Sequence, residues 1–264
     1  MEKPRDTALR DILENLNWIV DAKSAEQDQI EYLLTSDSIR QWLNAKRLYI
    51  LSIDAETSPE GTCSPISYAT AMLAQALLES KTYPVLTYFC SIRCWQPDTK
   101  QKTAAVSFLR SLADQLLEEA GEKVPGFDPS SCFRSRTRRD AFASVDAALS
   151  LLEDLFRALP PKSGVFILVD SVSRLEMKAK TKARGKKAIE GLLAVAGRAD
   201  VPVKLVVTDL LHAKIPTLLE NAIEPLYLPD QVDVGGYGFH VEMALDETRL
   251  AIDQSFKGSD REDA

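Results

Sequence analysis

The chain has 264 residues and 45% of them are hydrophobic, which is enough apolar material for the core of one large α/β domain or two small ones and excludes disorder throughout. The formal net charge of -7 excludes a surface that as a whole attracts nucleic acid or anionic lipid, so any such binding needs a local patch. The four cysteines, Cys63, Cys90, Cys94 and Cys132, form no pair of CxxC units and stand with only two histidines, His212 and His240, which argues against zinc and suits a reducing compartment.

The first residues, MEKPRDTALRDILENL, are charged and amphipathic, unlike a secretory signal. No apolar stretch approaches the roughly 20 residues of a membrane span, so a cytosolic protein without a membrane partner is expected. Residues 1–45 form a helical lead-in, with helical pieces predicted at 12–20 and 39–43 that contain Trp18 and Trp42. Beyond it, five short apolar runs rich in β-branched and aromatic residues predict strands at 48–53, 85–90, 165–169, 203–207 and, more weakly, 225–228. Helical spacing between them predicts helices at 66–79, 104–120, 145–159, 186–199 and 215–221. In the second of these, Val106, Leu109, Leu112, Leu116 and Leu117 fall on one side and Arg110, Asp114, Glu118 and Glu119 on the other. Residues 121–139, rich in Pro, Gly, Ser and Arg, read as a long exposed loop. The domain proper spans 46–230, followed by a C-terminal helical extension over 231–257 and a disordered tail over 258–264. Strands alternating with helices define the fold class: α/β, three-layered, with a mostly parallel five-stranded sheet flanked by helices.

A P-loop NTPase needs a first strand leading into a phosphate-binding turn and helix, a later strand ending in a magnesium-holding acid, and a further strand with a polar sensor. Here the first strand runs into Ser58-Pro59-Glu60-Gly61-Thr62-Cys63-Ser64 and then a helix. This stretch resembles the PGSGKS loop of fungal NACHT proteins, the nephrocystin-like branch of the STAND NTPases, with PEGTCS at 59–64. Further segments are similar to that family in the same order: a tryptophan-leucine pair at 42–43 before the first strand, VLTYFCS at 85–91, FLRSLADQLL at 108–117, GVFILVD at 164–170 as the Walker B strand and KLVVT at 204–208 as the sensor strand. Together they cover roughly residues 12–230.

The resemblance implies a nucleotide site built on Gly61, Thr62, Cys63, Ser64, Asp170 and Thr208, with Ser64 and Asp170 as ligands to magnesium and ATP or GTP as the nucleotide, held weakly. The departures fall on the chemistry. Cys63 stands at the lysine position and supplies no charge to a phosphate, while Glu60 replaces a glycine with a carboxylate. Ser173 and Arg174 follow Asp170 where a second acid is usual, leaving only Glu176 to reach back, and Asp209-Leu210 replaces the sensor's serine-arginine. No catalytic residue is assigned, and a scaffold with a protein partner is expected.

Other readings stay open at this point. Ser64 equally suits a helix N-cap, and Asp170 and Asp209 suit the strand-end acids of any parallel sheet. Cys90 and Cys94 read as buried strand-end thiols. A lysine from 178–187 could replace the missing one in an atypical active ATPase or GTPase. The basic clusters Arg134, Arg136, Arg138, Arg139 and Lys178, Lys180, Lys182, Arg184, Lys186, Lys187 could grip RNA or an acidic partner, but a charge run is more often a solvated loop and no aromatics interleave the second cluster. Serine hydrolase and thiol chemistry are both discarded, because there is no GxSxG elbow and His212 or His240 would need Cys or Ser partners that the sequence does not flag.

Overall fold

The computed structural model describes residues 3–18, 24–55, 63–94, 104–133, 138–161, 163–175, 182–209 and 225–229, with single residues 232, 246 and 250. Three helices come first: α1 (Pro4–Leu16), α2 (Ser24–Thr35) and α3 (Asp37–Asn44). Then β1 (Tyr49–Ala55) leads to α4 (Pro65–Ser80), and β2 (Val85–Phe89) runs directly into the single turn α5 (Cys90–Arg93). The long α6 (Ala104–Lys123), a 3-10 turn (Pro129–Phe133), the short α7 (Arg138–Ala141) and α8 (Val145–Arg157) precede β3 (Val165–Asp170). A 3-10 turn (Val172–Leu175), α9 (Lys182–Gly197), β4 (Val203–Asp209) and β5 (Leu226–Leu228) complete the described elements.

The strands form one five-stranded sheet in the order β2-β3-β4-β1-β5, and all four pairings are parallel. VFILVD of β3 and VKLVVTD of β4 are buried along their whole length, as expected of central strands covered on both faces. One face carries α4 and the lead-in helices, which enclose Leu51, Ile53, Phe166, Leu168 and Val206. The opposite face carries α6, α8 and α9 over Leu86, Ile167, Val169, Leu205 and Val207. The fold is thus three-layered, α/β and P-loop NTPase-like, with every pairing parallel.

The lead-in is part of this layering. Trp42 of α3 is completely buried and meets Phe166 edge-on with ring centroids 5.3 Å apart. Helix α1 lies against α4, α6 and the edge strand β2. Ion pairs fasten it there: Arg5 with Glu119 at 3.3 Å and Glu122 at 2.7 Å, and Asp11 with Arg93 at 2.5 Å. The open edge of β2 is closed by a side chain, since Gln115 accepts from the Thr87 N–H and donates to its carbonyl, both at 2.9 Å.

Several expectations are corrected. Helix α2 lies where no element was predicted, and α6 reaches Lys123. The described part of 121–139 is not a free loop: its 3-10 turn buries Cys132 against the core. Asp114 and Glu119, assigned to the solvent side of α6, are buried, Asp114 beside Arg110 and Glu119 between Arg5 and Lys123. A helix packed on the sheet and on α1 has two inner faces, and basic partners let the second one be charged. The predicted helix at 215–221 and the tail at 258–264 lie outside the described residues, as does the extension at 231–257 apart from its single described positions.

Candidate functional site

In an open parallel sheet, ligands meet the carboxyl ends of the strands where the strand order reverses. That edge is built here from the ends of β1, β2, β3 and β4 and the N-terminus of α4. Parallel register places Phe89 opposite Asp170 and Val169 opposite Val207, so Cys90-Ser91, Asp170 and Thr208 end side by side. Helix α4 starts beneath them because Pro65 supplies a preset φ at its first position and Ser64 caps it, accepting from the Ser67 N–H at 3.1 Å.

Asp170 is the centre of the arrangement and is 0% exposed. Three hydroxyls donate to its carboxylate: Ser67 Oγ to Oδ1 at 2.9 Å, Thr208 Oγ1 to Oδ1 at 3.0 Å and Ser91 Oγ to Oδ2 at 2.6 Å. The Thr208 hydroxyl is oriented by the Ser171 N–H, which donates to it at 2.9 Å and leaves its proton for Asp170. Ser171 turns its amide that way in a left-handed conformation, with φ of 53°, a local strain that the surrounding bonds hold in place. Because Ser67 gives its proton to Asp170, the 3.0 Å contact between Ser64 and Ser67 has Ser64 as donor. Burial raises the pKa of Asp170 above the ordinary carboxylate value, and the hydroxyls of Ser91, Ser67 and Thr208 counter this only in part.

Cys63, the residue that the sequence resemblance sets at the lysine position, faces the lead-in helix. Its thiol donates to Asn15 Oδ1 at 3.1 Å, and Asn15 is itself buried on α1. Burial, followed by the nearby charge of Asp170, pushes the Cys63 thiol up to about 12, so it is neutral at physiological pH. An uncharged group held by a neighbouring helix thus directly precedes the N-cap of α4.

Of the residues assigned from sequence, the structure brings Cys63, Ser64, Asp170 and Thr208 to one edge. Gly61 and Thr62 lie outside the described residues, together with Glu60, Glu176, Lys178 and Lys180. Ser64 is the N-cap and touches Ser67, whereas the hydroxyl against Asp170 belongs to Ser67, one turn further on. Directly before Ser67, whose hydroxyl meets Asp170, stands buried Ile66, so a register counted back from Ser67 has no lysine either. Arg174 and Ser173, in place of the second acid, are buried in the 3-10 turn after β3. Within the second basic cluster, Lys186 pairs with Glu190 at 3.6 Å and Lys187 with Asp146 at 2.7 Å, which neutralises part of that face.

Sequence reasoning missed Ser67, Ser91 and Asn15. Hydroxyls and amides on a helix carry no signal of their own, although the interval of three from Ser64 to Ser67 is the capping distance and hints that both share one turn.

No protein-family model, no curated protein and no solved structure matches the chain. No helix among the described residues is long and apolar enough to cross a membrane.

Proposed function

We propose that this chain is a catalytically impaired NTPase-fold module of the NACHT type that works as a scaffold for a protein partner and holds nucleotide only weakly. The observation that carries the reading is the state of Cys63: a neutral thiol bonded to Asn15 of α1 in place of a cation that could meet a phosphate. The Walker B-like acid supports it, since three of the roughly four acceptor positions of Asp170 are already filled by protein hydroxyls. Magnesium binding there would have to compete with these hydroxyls for a carboxylate that is fully buried.

Titration of the full chain with Mg-ATP and with Mg-GTP, by calorimetry and phosphate release, tests the proposal. Affinities weaker than about 0.1 mM and phosphate release no faster than in buffer are expected. Turnover at about 1 per second or faster, the range of ordinary enzymes, would overturn it.

A further inference from the structure

The turn α5 carries two thiols that the hydroxyl cage does not use. Cys90 opens the turn and Cys94 caps it, and the Cys94 N–H donates to the Cys90 carbonyl at 3.0 Å, so the two side chains leave one face of the backbone a turn apart. Cys90 is buried, whereas Cys94 is half-buried, and the backbone bond holds the two thiols close enough for each to shift the other's pKa. The expectation of two buried strand-end thiols is thus corrected: β2 ends at Phe89, both thiols lie on the turn, and one of them reaches the surface.

Two guanidinium groups flank the pair. Arg93 is fixed by its ion pair with Asp11 and by its place over the Tyr88 ring, 5.0 Å from the centroid, while its Nη2 is buried with no hydrogen-bond partner among the described residues. Arg174 approaches from the 3-10 turn after β3, which packs against α5. The negative groups nearby are Asp170, behind Cys90, and Asp11, which Arg93 already neutralises.

We propose that Cys90 and Cys94 are a redox-active dithiol, a modification site at which a hydroperoxide oxidises Cys94 and Cys90 closes the product to an intrachain disulfide. Cys94 is the attacking sulfur. The hydrogen bond from Cys90 draws its pKa below the ordinary thiol value, and Arg174 and Arg93 act in the same direction against burial. Cys90 is pushed upward by burial and keeps its proton until it reacts.

In the first step the Cys94 thiolate attacks the O–O bond and takes one oxygen as a sulfenic acid, and the departing hydroxide or alkoxide picks up a proton. In the second step Cys90 loses its proton and attacks the sulfenic sulfur. The S–S bond forms, the S–O bond breaks, and the oxygen leaves with that proton as water. Overall the two thiols give up two electrons and two protons, and the hydroperoxide is reduced to an alcohol or water with one further water released.

The geometry needs a small adjustment. Side chains one helical turn apart have Cβ atoms about 5–6 Å from each other, and a disulfide draws them to about 3.8 Å. The single turn can tighten at the loss of one backbone bond, from Cys94 to Cys90. Ser91, next in the chain, donates to Asp170, so closure of the disulfide pulls directly on the hydroxyl cage.

The test is oxidation of the reduced full chain with hydrogen peroxide, followed by thiol counting and non-reducing peptide mapping. The expected result is rapid loss of two of the four thiols with a Cys90–Cys94 cross-link. Before oxidation, Cys94 should react with iodoacetamide at least about tenfold faster than Cys63, and all thiols should react alike in denaturant. Cys94→Ser, a change at a half-buried site, should keep its circular dichroism and retain its three thiols over the same time. Cys90→Ala should leave a sulfenic acid on Cys94 that dimedone traps; if that variant does not fold, Cys94→Ser and the mapping decide alone. Loss of Cys63 or Cys132 as fast as Cys94, or oxidation of Cys90 in folded Cys94→Ser at the parent rate, would overturn the proposal.

Discussion

Replacing Asp170 with alanine tests whether the hydroxyl cage holds the carboxyl edge together. The substitution removes the acceptor for Ser67, Ser91 and Thr208. Ser67 can turn its proton back to Ser64, 3.0 Å away, but the hydroxyls of Ser91 and Thr208 are left buried without an acceptor. Two orphaned donors at about 1–3 kcal/mol each, less the relief of no longer burying a carboxylate, give a net loss of about 3 kcal/mol. At roughly 2–4 °C per kcal/mol for a chain of this size, Tm should fall by about 6–12 °C. Asp170→Asn keeps an acceptor at Oδ1 for two of the donors, and its amide can donate to Ser91, so it should lie within about 1 kcal/mol of the parent. Denaturant unfolding of the three proteins gives the comparison. The pH dependence adds a signed check. Because the folded pKa of Asp170 is raised above its ordinary 3.8, its stabilising contribution is fully present below that value and is lost as pH rises through the folded pKa. The parent should therefore gain on Asp170→Asn as the solution is acidified. Equal stability of the Ala and Asn variants, or a parent that loses ground in acid, would refute the reasoning.

Three further expectations concern the scaffold. Lys204 donates to the Leu43 carbonyl at the end of α3 and sits over Phe166, and burial lowers its pKa from 10.5 to about 8. Lys204→Met should lie within about 1 kcal/mol of the parent near neutral pH, and the parent should gain on it as pH rises between about 8 and 10.5, because there the folded chain holds fewer protons than the unfolded one. A Cβ added at Gly191 would come within 2.1 Å of a Leu149 methyl where α8 crosses α9. Overpacking of about 1–3 kcal/mol against a helix-propensity gain of about 1 kcal/mol makes Gly191→Ala destabilising, and in a Leu149→Ala background the sign should reverse in urea unfolding. Gln115→Ala uncovers both Thr87 backbone groups on the edge of β2 and should cost about 2 kcal/mol, with concentration-dependent association visible by light scattering.

The strands were legible because continuous β-branched burial is a strong signal, and their order along the chain fixed the alternation with helices. Helix α2 was not, since SAEQDQIEYLLT places its buried Ile30, Leu33 and Leu34 in the second half behind a polar first half. Glu119 was placed on the wrong side because periodicity reports polarity, and a carboxylate buried between Arg5 and Lys123 looks the same in sequence as one in water. At the site, Asp170 and Thr208 were readable as strand ends. The choice between Ser64 and Ser67 was not: they share one helical turn, and only the depth of α4 beneath β3 decides which hydroxyl meets the acid.

On the proposed NACHT-type reading, the cysteine at the lysine position and the lead-in helix belong to one physical account. A lysine at position 63 would place an ammonium among Asn15, the start of α4 and the carboxylate of Asp170, and a charge there needs either a phosphate or Asp170 to compensate it. With cysteine the compensation is unnecessary, and α1 and the residues just after it can pack directly over the start of α4, where Trp18 meets Tyr68 with centroids 6.3 Å apart. Asp170 then lacks its cation, and the chain supplies neutral hydroxyls from α4, β4 and the residue after Cys90 in its place. On this account restoring the cation alone should not restore activity. Cys63→Lys should lose the Asn15 contact, unfold more easily by about 1–3 kcal/mol and still release no phosphate from Mg-ATP. A Cys63→Lys protein that binds Mg-ATP tightly without losing stability would show that α1 leaves the site open and that the cage is no substitute for the lysine.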